Sequence, residues 1–319
     1  MGLPMSSDFR TDADVALPPL AHASGCGCLL HARRRWGTAA LATLAAPGVW
    51  AQQGGAPREA PGAWPECKRS SFAKLSSSGA IEQQAQQQYM QMLQQANGKR
   101  ALAPRDHPQS LRLTYIAKRI IPITYGCNPR ARDWKWEVHL IGSDQLNAFC
   151  MPGGKIAFYS GILSKLQLSD DEVAMIMGHE VAHALLEHAQ ERMGKTNITR
   201  GAIEIGSAVF GLGNLGRAAA GGVGSLLTLR FSRDDESEAD ALGLVLAANA
   251  GYDPRAGVTL WQKMMAANKG APPQWLSTHP SGDSRIKEMQ ARLPRVQPMY
   301  ASAAKPDQRF APLTPRSTG

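Results

Sequence analysis

Apolar residues recur at helical spacing in two segments in the first half of the chain. In the glutamine-rich segment 81–96, the apolar residues share one face, and the pattern ends before Gly98. The segment 109–121 keeps the same spacing until Pro122, whose missing N–H should stop the helix. The pattern therefore predicts two amphipathic helices.

A two-residue alternation replaces this spacing between residues 134 and 161. Trp136, Val138 and Leu140 alternate with polar neighbours, which is typical of a strand. In the segment 147–161, two short apolar runs flank a Pro-Gly-Gly turn, which predicts a hairpin. No strand–helix–strand repeat is visible, so we expect a mainly helical α+β fold with a small antiparallel sheet.

Helix-start signals mark the second half of the chain. Ser169 and Glu172 form a capping box, which predicts a helix over 170–193. Ser232 can cap another helix, and a last helix is expected over 283–293. Helices should therefore surround the sheet.

Composition and charge narrow the class of protein. Hydrophobic residues make up 43% of 319 residues, enough for a sizeable core. The formal net charge is +9, and removal of four Arg and three Asp in residues 1–51 leaves 31 basic and 23 acidic residues, or +8. The basic residues are scattered, without a stripe or interleaved aromatics. We therefore expect no dedicated nucleic-acid binding.

Composition also divides the chain into segments. Residues 1–51 contain three consecutive arginines, a short apolar run and a small residue at a cleavage point, as in an export signal. We expect a linker over 52–75, one domain over 76–296 and a disordered tail over 297–319. The apolar segment 201–229 holds eight glycines and two charged residues, which favours a glycine-rich segment near the site over a membrane span.

Cleavage after Ala51 would leave three cysteines, Cys67, Cys127 and Cys150. Cys150 lies in an apolar stretch and is interpreted as a small buried hydrophobe. Cys67 and Cys127 lie in loop-like surroundings, and our hypothesis is that they form a disulfide. The alternative is three free thiols.

The motif "HEVAH" carries the candidate chemistry. His179 and His183 stand four positions apart, so on a helix both imidazoles face the same way and can bind one ion. Glu180, turned by about 100°, can reach a water molecule on that ion without ligating it. This is the HExxH arrangement of zinc hydrolases, in which the glutamate is the general base.

A third ligand is available on the helix that Ser232 caps. Glu236 and Asp240 stand four positions apart, so Glu236 can ligate while Asp240 accepts the outer N–H of a ligating histidine. Glu238 should face solvent. His188 is five positions past His183 and should point away from the metal. An ordinary acidic first turn is the alternative interpretation.

Four ordered motifs resemble one family of proteins. "SDQLNAFCMPGGKIAFYSGIL", "GHEVAHALLEH", "ESEAD" and "STHPSGDSRI" resemble the HtpX and CaaX-prenyl-protease type of zinc endopeptidase. The likeness covers roughly residues 80–293 and is strongest to the soluble periplasmic branch of BepA and LoiP type. It implies a gluzincin-type metalloprotease domain over 76–296.

The resemblance implies one zinc ion per chain, held by His179, His183 and Glu236, with Glu180 as the general base. It also gives roles to His279 and Arg285. One of them would approach the metal or the developing oxyanion, and the other would hold the acidic groups behind the ligands. A second role for His279 stays open, in which it occupies the fourth position on zinc and holds the resting enzyme off.

The hairpin is a candidate substrate site. If strand 147–151 or strand 155–160 lies at the sheet edge, an extended polypeptide can pair with its backbone and cross the metal. The candidate contacts are Asn147, Ala148, Phe149, Gly153 and Gly154. The alternative is a purely structural hairpin.

These observations favour an exported, periplasmic zinc endopeptidase that cleaves unfolded or misassembled cell-envelope proteins. Peripheral association with the outer membrane is left open. The alternative function is a chaperone-like periplasmic binding protein with a plugged or structural zinc site.

Overall fold

The structure is a computed structural model that describes residues 65–75, 77–196, 226, 229–267, 274–280 and 283–314. The described residues all lie in one unit, Ala56–Gly319. The expected export segment, and most of the glycine-rich segment, lie outside the described residues. Within the described ranges, no helix is both long enough and apolar enough to cross a bilayer.

Helices dominate the described residues. They are α1 (Ser78–Gly98), α2 (Pro108–Thr124), α3 (Ser160–Lys165), α4 (Asp170–Leu185), α5 (residues 188–196), α6 (Arg233–Asn249), α7 (Ala256–Ala267), α8 (Gln274–Thr278) and α9 (Asp283–Ser302). Three short 3-10 turns cover Pro65–Cys67, Ser71–Leu75 and Pro129–Arg132. The expected mainly helical α+β fold is confirmed.

In the described part of the chain the sheet has three strands, β1 (Glu137–Ile141), β2 (Ala148–Met151) and β3 (Lys155–Tyr159), in the order β1-β3-β2. The hairpin is confirmed, because β2 and β3 pair in antiparallel fashion. The expectation of a purely antiparallel sheet is wrong for one pair, since β1 runs parallel to β3. After β1 the chain crosses to the far edge before it turns back, so β3 is central and β2 is an edge strand.

Two long helices cross at a pair of glycines in the core. A Cβ at Gly178 of α4 would lie 2.9 Å from the carbonyl oxygen of Gly243 of α6. A Cβ at Gly243 would lie 3.0 Å from the backbone nitrogen of His179. Both helices are buried along most of their length. The missing side chains therefore allow backbone-to-backbone contact at the position where the candidate ligands lie.

The helix that begins at the Ser169 capping box is shorter than expected. It ends at Leu185, and Glu187 takes a positive φ of 59° before α5 starts at residue 188. The side-chain amide of Asn128 donates to the carbonyl oxygen of Leu185 at 2.9 Å, and so satisfies a group that the break exposes. The predicted single helix over 170–193 is therefore two helices separated by a turn.

The C-terminal helix is longer than expected. Both Pro294 and Pro298 lie inside α9, which continues to Ser302. Burial of Val296 at 2% exposure helps to offset the hydrogen bonds that proline removes. The helix therefore does not end at residue 293 as predicted, and residues 297–302, which were expected in a disordered tail, are helical. Helix α2 likewise continues through Pro122 to Thr124.

Residues 303–314 pack back onto the start of α4. The backbone N–H of Phe310 donates to Oδ2 of Asp170 at 2.8 Å, and Nη1 of Arg309 lies 3.0 Å from Oδ1 of Asp171. Asp170 also accepts from the buried Arg112 at 2.6 Å. The C-terminal segment therefore stabilises the first turn of the helix that carries the candidate site.

A disulfide joins Cys67 to Cys127, as hypothesised, with 5.2 Å between the two Cα atoms. It ties the segment before α1 to the end of α2. The third described cysteine, Cys150, is an unpaired, buried thiol on β2.

Candidate metal centre

Helix α4 presents the HExxH motif from a buried position. The capping box forms, since Ser169 Oγ accepts from the backbone N–H of Glu172 and the Glu172 carboxylate accepts from the N–H of Ser169. His179 and His183 are each 3% exposed, and Glu180 is 2% exposed. Apolar neighbours on every side hold the helix in place, so the motif lies inside the fold.

Helix α6 presents the acidic residues. Ser232 and Asp235 form a second capping box, which fixes the first turn of α6. Glu236, in that turn, is 0% exposed, and Asp240, one turn later, is 3% exposed. Because α4 and α6 touch at the glycine crossing, both carboxylates reach the histidines of α4.

Helix α8 and the residue after it bring in His279. The backbone N–H of His279 donates to the carbonyl oxygen of Trp275 at 2.8 Å, which sets the ring at the end of this short helix. Trp275 Nε1 donates to Oε1 of Glu180 at 2.6 Å. The indole also stacks on the His279 ring, with 5.0 Å between centroids and 28° between planes.

Four candidate ligands converge. His179, His183, Glu236 and His279 each offer one ligand atom, and these atoms all lie within 4.8 Å of one another. The two Nε2 atoms of His179 and His183 are 3.1 Å apart, and they lie 3.5 and 3.4 Å from the Glu236 carboxylate oxygens. Nδ1 of His279 lies 3.3 Å from His179 Nε2 and 2.9 Å from Glu236 Oε1.

These separations suit one small cation. A tetrahedral ion with ligands at ~2.0–2.1 Å has ligand atoms roughly 3.3 Å apart. Glu236 Oε2 is buried and lacks a hydrogen bond, although Nη1 of Arg285 lies 2.6 Å away. A set of imidazole nitrogens with one carboxylate is the donor set that zinc takes in catalytic sites. The residues present therefore fit a zinc ion.

Asp240 and Arg285 lie behind the candidate ligands. Asp240 Oδ1 is 2.9 Å from Nδ1 of His179, on the side of the ring away from the cluster. Arg285 donates to both Asp240 oxygens, from Nε at 2.6 Å and from Nη2 at 2.7 Å. Its guanidinium carbon lies 3.8 Å from the ring centroid of Trp261. Packing and charge together hold the arginine rigidly.

The electrostatics of the cluster favour different protonation states for neighbouring groups. Burial opposes ionisation of His179, but its contacts with Asp240 and Glu236 outweigh this and raise its pKa to about 9. Burial lowers the pKa of His183 well below its usual value. For Glu236, burial favours the neutral form, but the His279 charge and contacts with the three imidazoles lower its pKa well below its usual range. The pKa of Asp240 is also lowered, since the Arg285 charge and its hydrogen bonds outweigh burial.

A cavity beside the cluster is bounded by β2. Asn147, Ala148 and Phe149 line it together with Cys150, Met151 and Pro152, and Glu180 and His183 form its floor. Leu226, Leu229 and Phe231 add an apolar wall. Gly153 and Gly154 are not brought to this cavity. They form the turn after β2, where φ values of 83° and 77° require glycine and the nearest atoms belong to Glu82 and Trp136.

Three residues near the cluster did not stand out in the sequence as parts of a site. Trp275 contacts Glu180, and Phe231 stacks on His183 with 4.0 Å between ring centroids. His188 is not among the four candidate ligands, consistent with its expected direction away from the metal, but its Nδ1 lies 2.8 Å from Nδ1 of His183, a contact that the sequence did not predict. The positive φ at Glu187 turns the chain back, and no sequence pattern signals such a break at a glutamate. Helical spacing could have pointed to Trp275, because this aromatic residue stands four positions before His279.

Comparison with known proteins identifies the family. The model of peptidase family M48 matches residues 111–293, more than half of the 319 residues. The chain is 35% identical to the mitochondrial metalloendopeptidase OMA1 of Schizosaccharomyces pombe over 198 residues, which is 61% of this chain and 56% of that protein. It is 27% identical to the metalloprotease LoiP of Escherichia coli over 206 residues, or 64% of this chain and 78% of that protein.

A further relative is the beta-barrel assembly-enhancing protease of Yersinia pestis, 27% identical over 185 residues, or 55% of this chain and 38% of that protein. The chain thus spans little more than half of the fission-yeast relative and less of this one. The match includes both helices of the cluster and the histidine and arginine that follow them. The chain therefore belongs to peptidase family M48.

Proposed function

We propose that the protein is a zinc-dependent endopeptidase, in which His179, His183 and Glu236 hold the ion and Glu180 is the general base. The observation that carries this proposal is the buried cluster of two Nε2 atoms and one carboxylate, at separations between 3.1 and 3.5 Å. The names of the relatives as metalloendopeptidase and metalloprotease support the same reaction class.

A zinc ion held by these residues would supply Lewis acidity for activating water and polarising a peptide carbonyl. Glu180 lies beside the cluster but outside it, since its Oε1 is 3.6 Å from Nε2 of His279 and accepts from Trp275. From there Glu180 can accept a proton from water and pass it to the leaving amine. Asp240 fixes the tautomer of His179. The positive charge of Arg285 keeps the Asp240 carboxylate ionised and therefore able to accept that hydrogen bond.

We infer that the structure represents a closed resting form. His279 Nδ1 lies at the fourth corner of the cluster, where a peptidase needs room for water. The Glu180 carboxylate is engaged at the same time, because it accepts a hydrogen bond from the Trp275 indole. In this proposal, substrate displaces His279 and Trp275, and His279 is then a donor near the developing oxyanion. This arrangement also favours the alternative function, a chaperone-like binding protein whose zinc site stays plugged.

The substrate we propose is an extended polypeptide laid along β2. Among the described strands β2 is an edge strand beside the cluster, so its outer backbone groups could pair with a substrate, while β3 lies between two strands. Asn147, Ala148 and Phe149 would contact its backbone, and the apolar wall would take one of its apolar side chains. Backbone pairing of this kind selects unfolded segments over folded ones. Unfolded or misassembled cell-envelope proteins, the proposed substrates, present such segments.

The proposed location is the periplasm, with or without association with the outer membrane. The disulfide between Cys67 and Cys127 supports an oxidising compartment. The Yersinia relative named for β-barrel assembly fits this location. The fission-yeast relative is named as mitochondrial, so the location rests on the disulfide and the expected export segment.

Proteolysis of casein by the purified chain, with and without 1,10-phenanthroline, tests the proposal. We expect chelator-sensitive cleavage by the wild type and one zinc per chain by elemental analysis. Glu180→Gln should keep zinc and lose cleavage, while Glu288→Gln, a matched change at a partly exposed carboxylate, should keep both. Full activity of Glu180→Gln would refute the assigned base.

The variant His279→Ala tests whether His279 holds the resting enzyme closed. A rise in cleavage supports the plug, and a fall without any rise refutes it. If the wild type suppresses aggregation of an unfolded protein equally well with and without the chelator, and cleaves nothing, the binding-protein alternative replaces the peptidase.

A further inference from the structure

The outer nitrogen of the second HExxH histidine has a histidine partner. Nδ1 of His183 lies 2.8 Å from Nδ1 of His188, and Nε2 of His188 lies 3.2 Å from Oε2 of Glu238. His188 is 1% exposed, whereas the Glu238 side chain is 55% exposed. A line of contacts therefore runs from the cluster to a solvated carboxylate.

The chain break after α4 creates this contact. On a continuous helix, His188 would be turned about 140° from His183, since each residue adds about 100°. Glu187 instead adopts a φ of 59°, which costs a non-glycine residue about 1 kcal/mol or more. The Glu187 carboxylate is anchored by Arg69 Nη1 at 3.3 Å and by the Ser78 hydroxyl at 3.5 Å. The strained turn is thus held in place from outside the helix.

Proton accounting fixes the direction of the hydrogen bonds for neutral rings. Nε2 of His183 faces the cluster, so its single proton belongs on Nδ1, which donates to His188 Nδ1. His188 then carries its proton on Nε2 and donates to Glu238. The reverse direction would place a proton on His183 Nε2 and aim a lone pair of His188 at a carboxylate. One arrangement of the two rings therefore satisfies all the contacts and leaves His183 free to ligate.

Each histidine of the HExxH motif has a partner at its outer nitrogen, Nδ1. His179 Nδ1 faces the buried Asp240, whose charge is compensated by Arg285. The described residues around His183 hold no second such arginine. With zinc, Glu236, Asp240, Glu180 and Arg285, the buried charges already sum to zero, and another buried carboxylate would leave an uncompensated charge. A neutral imidazole that leads to an exposed carboxylate avoids that cost.

We propose that His188 and Glu238 are positioning residues that fix the tautomer and the ring orientation of His183 and thereby set the affinity for zinc. The inference rests on the proposed function, because it takes His183 as a ligand. Partners of this kind behind a ligating histidine change metal affinity by roughly 10–100-fold.

Competition between the metal-stripped full chain and a chromophoric zinc chelator measures the effect. We expect His188→Phe to weaken zinc binding by roughly 10–100-fold. His188→Asn places an amide oxygen near the position of Nδ1 and should recover part of this loss, and Glu238→Gln should show the smallest loss. His107→Asn, at the N-cap of α2 far along the chain, is the matched control and should bind zinc as the wild type does.

Visible absorption of the Co²⁺-substituted chain adds a readout of coordination geometry, and urea denaturation of the metal-free chain checks folding. Wild-type zinc affinity in folded His188→Phe would overturn the inference. Equal losses in His188→Phe and His188→Asn would also overturn it, because they would indicate a general packing effect. If His188→Phe does not fold, the Asn and Gln variants decide. A wild-type chain that binds no zinc would refute the proposed function itself, and this inference with it.

Discussion

Substitution of Gly243 by alanine tests whether the crossing of α4 and α6 sets the metal site. A Cβ at this position would meet backbone atoms of the other helix, at 3.0 Å from His179 N, 3.1 Å from His179 Cα and 3.2 Å from Gly178 C. Backbone atoms cannot rotate away as the end of a side chain can. The two helices must therefore move apart by a few tenths of an ångström to reach ordinary contact at 3.4 Å or more.

Two opposing effects determine how much Gly243→Ala changes the free energy of unfolding. Alanine in a helix interior is favoured over glycine by about 1 kcal/mol. Overpacking in a well-packed core costs about 1–3 kcal/mol. The net change in the free energy of unfolding should therefore be a loss of up to about 2 kcal/mol. Glu236 and Asp240 both lie on α6, so they move with this helix. Because metal sites tolerate only ~0.5 Å of displacement of their ligands, we expect zinc affinity to fall about tenfold or more.

Urea denaturation of the metal-free chain and zinc competition measure the two quantities. Gly79→Ala is the matched control, because nothing lies within 4 Å of its Cβ position. This control should gain up to about 1 kcal/mol and keep its zinc affinity. If Gly243→Ala gains stability as the control does and binds zinc normally, the close approach does not set the site and the reasoning is refuted.

Three further predictions concern pH, the disulfide and the C-terminal segment. The pKa of His179 in the metal-free fold is about 9, so zinc must displace its proton below that pH, and apparent affinity should rise about tenfold per pH unit from pH 6.5 to 9. The stability that ionised His179 gives the metal-free chain is complete below pH 6.5 and is lost as pH rises through 9, which denaturation at several pH values would show. Cys67→Ser opens a loop with a sequence separation of 60, and in the chain-entropy model it should cost about 4 kcal/mol, measured by urea denaturation against the disulfide-bonded wild type. Truncation before residue 304 removes the Phe310 contact to Asp170 and should cost about 2 kcal/mol; an unchanged melting temperature would contradict that assignment.

Local signals in the sequence were enough for much of the fold. The capping box at Ser169 depends on residues three positions apart and forms as expected, and Ser232 caps its helix as expected, with Asp235 completing a second capping box. The Pro-Gly-Gly turn likewise predicted the β2–β3 hairpin, because positive φ at two successive residues favours glycine. Spacing of four along a helix singled out His179 with His183 and Glu236 with Asp240, whereas the family resemblance suggested His279.

Tertiary contacts decided what the sequence did not show. Glu187 has no propensity for positive φ, yet Arg69 and Ser78 hold it there, and this places His188 against His183. The parallel pairing of β1 with β3 depends on a crossover that strand periodicity does not encode. The last helix continues past its expected end at residue 293 and through two prolines, because burial of residues such as Val296 outweighs the local preference of proline.

Trp275 and His279 stand four residues apart on one short segment, and each contacts a different part of the cluster. A rigid displacement that draws His279 from Glu236 must also draw the indole from Glu180. Glu180, the proposed base, and the fourth corner would then become accessible in one concerted step. The turnover rate should follow the population of a single displaced state, with a simple hyperbolic dependence on whatever stabilises that state.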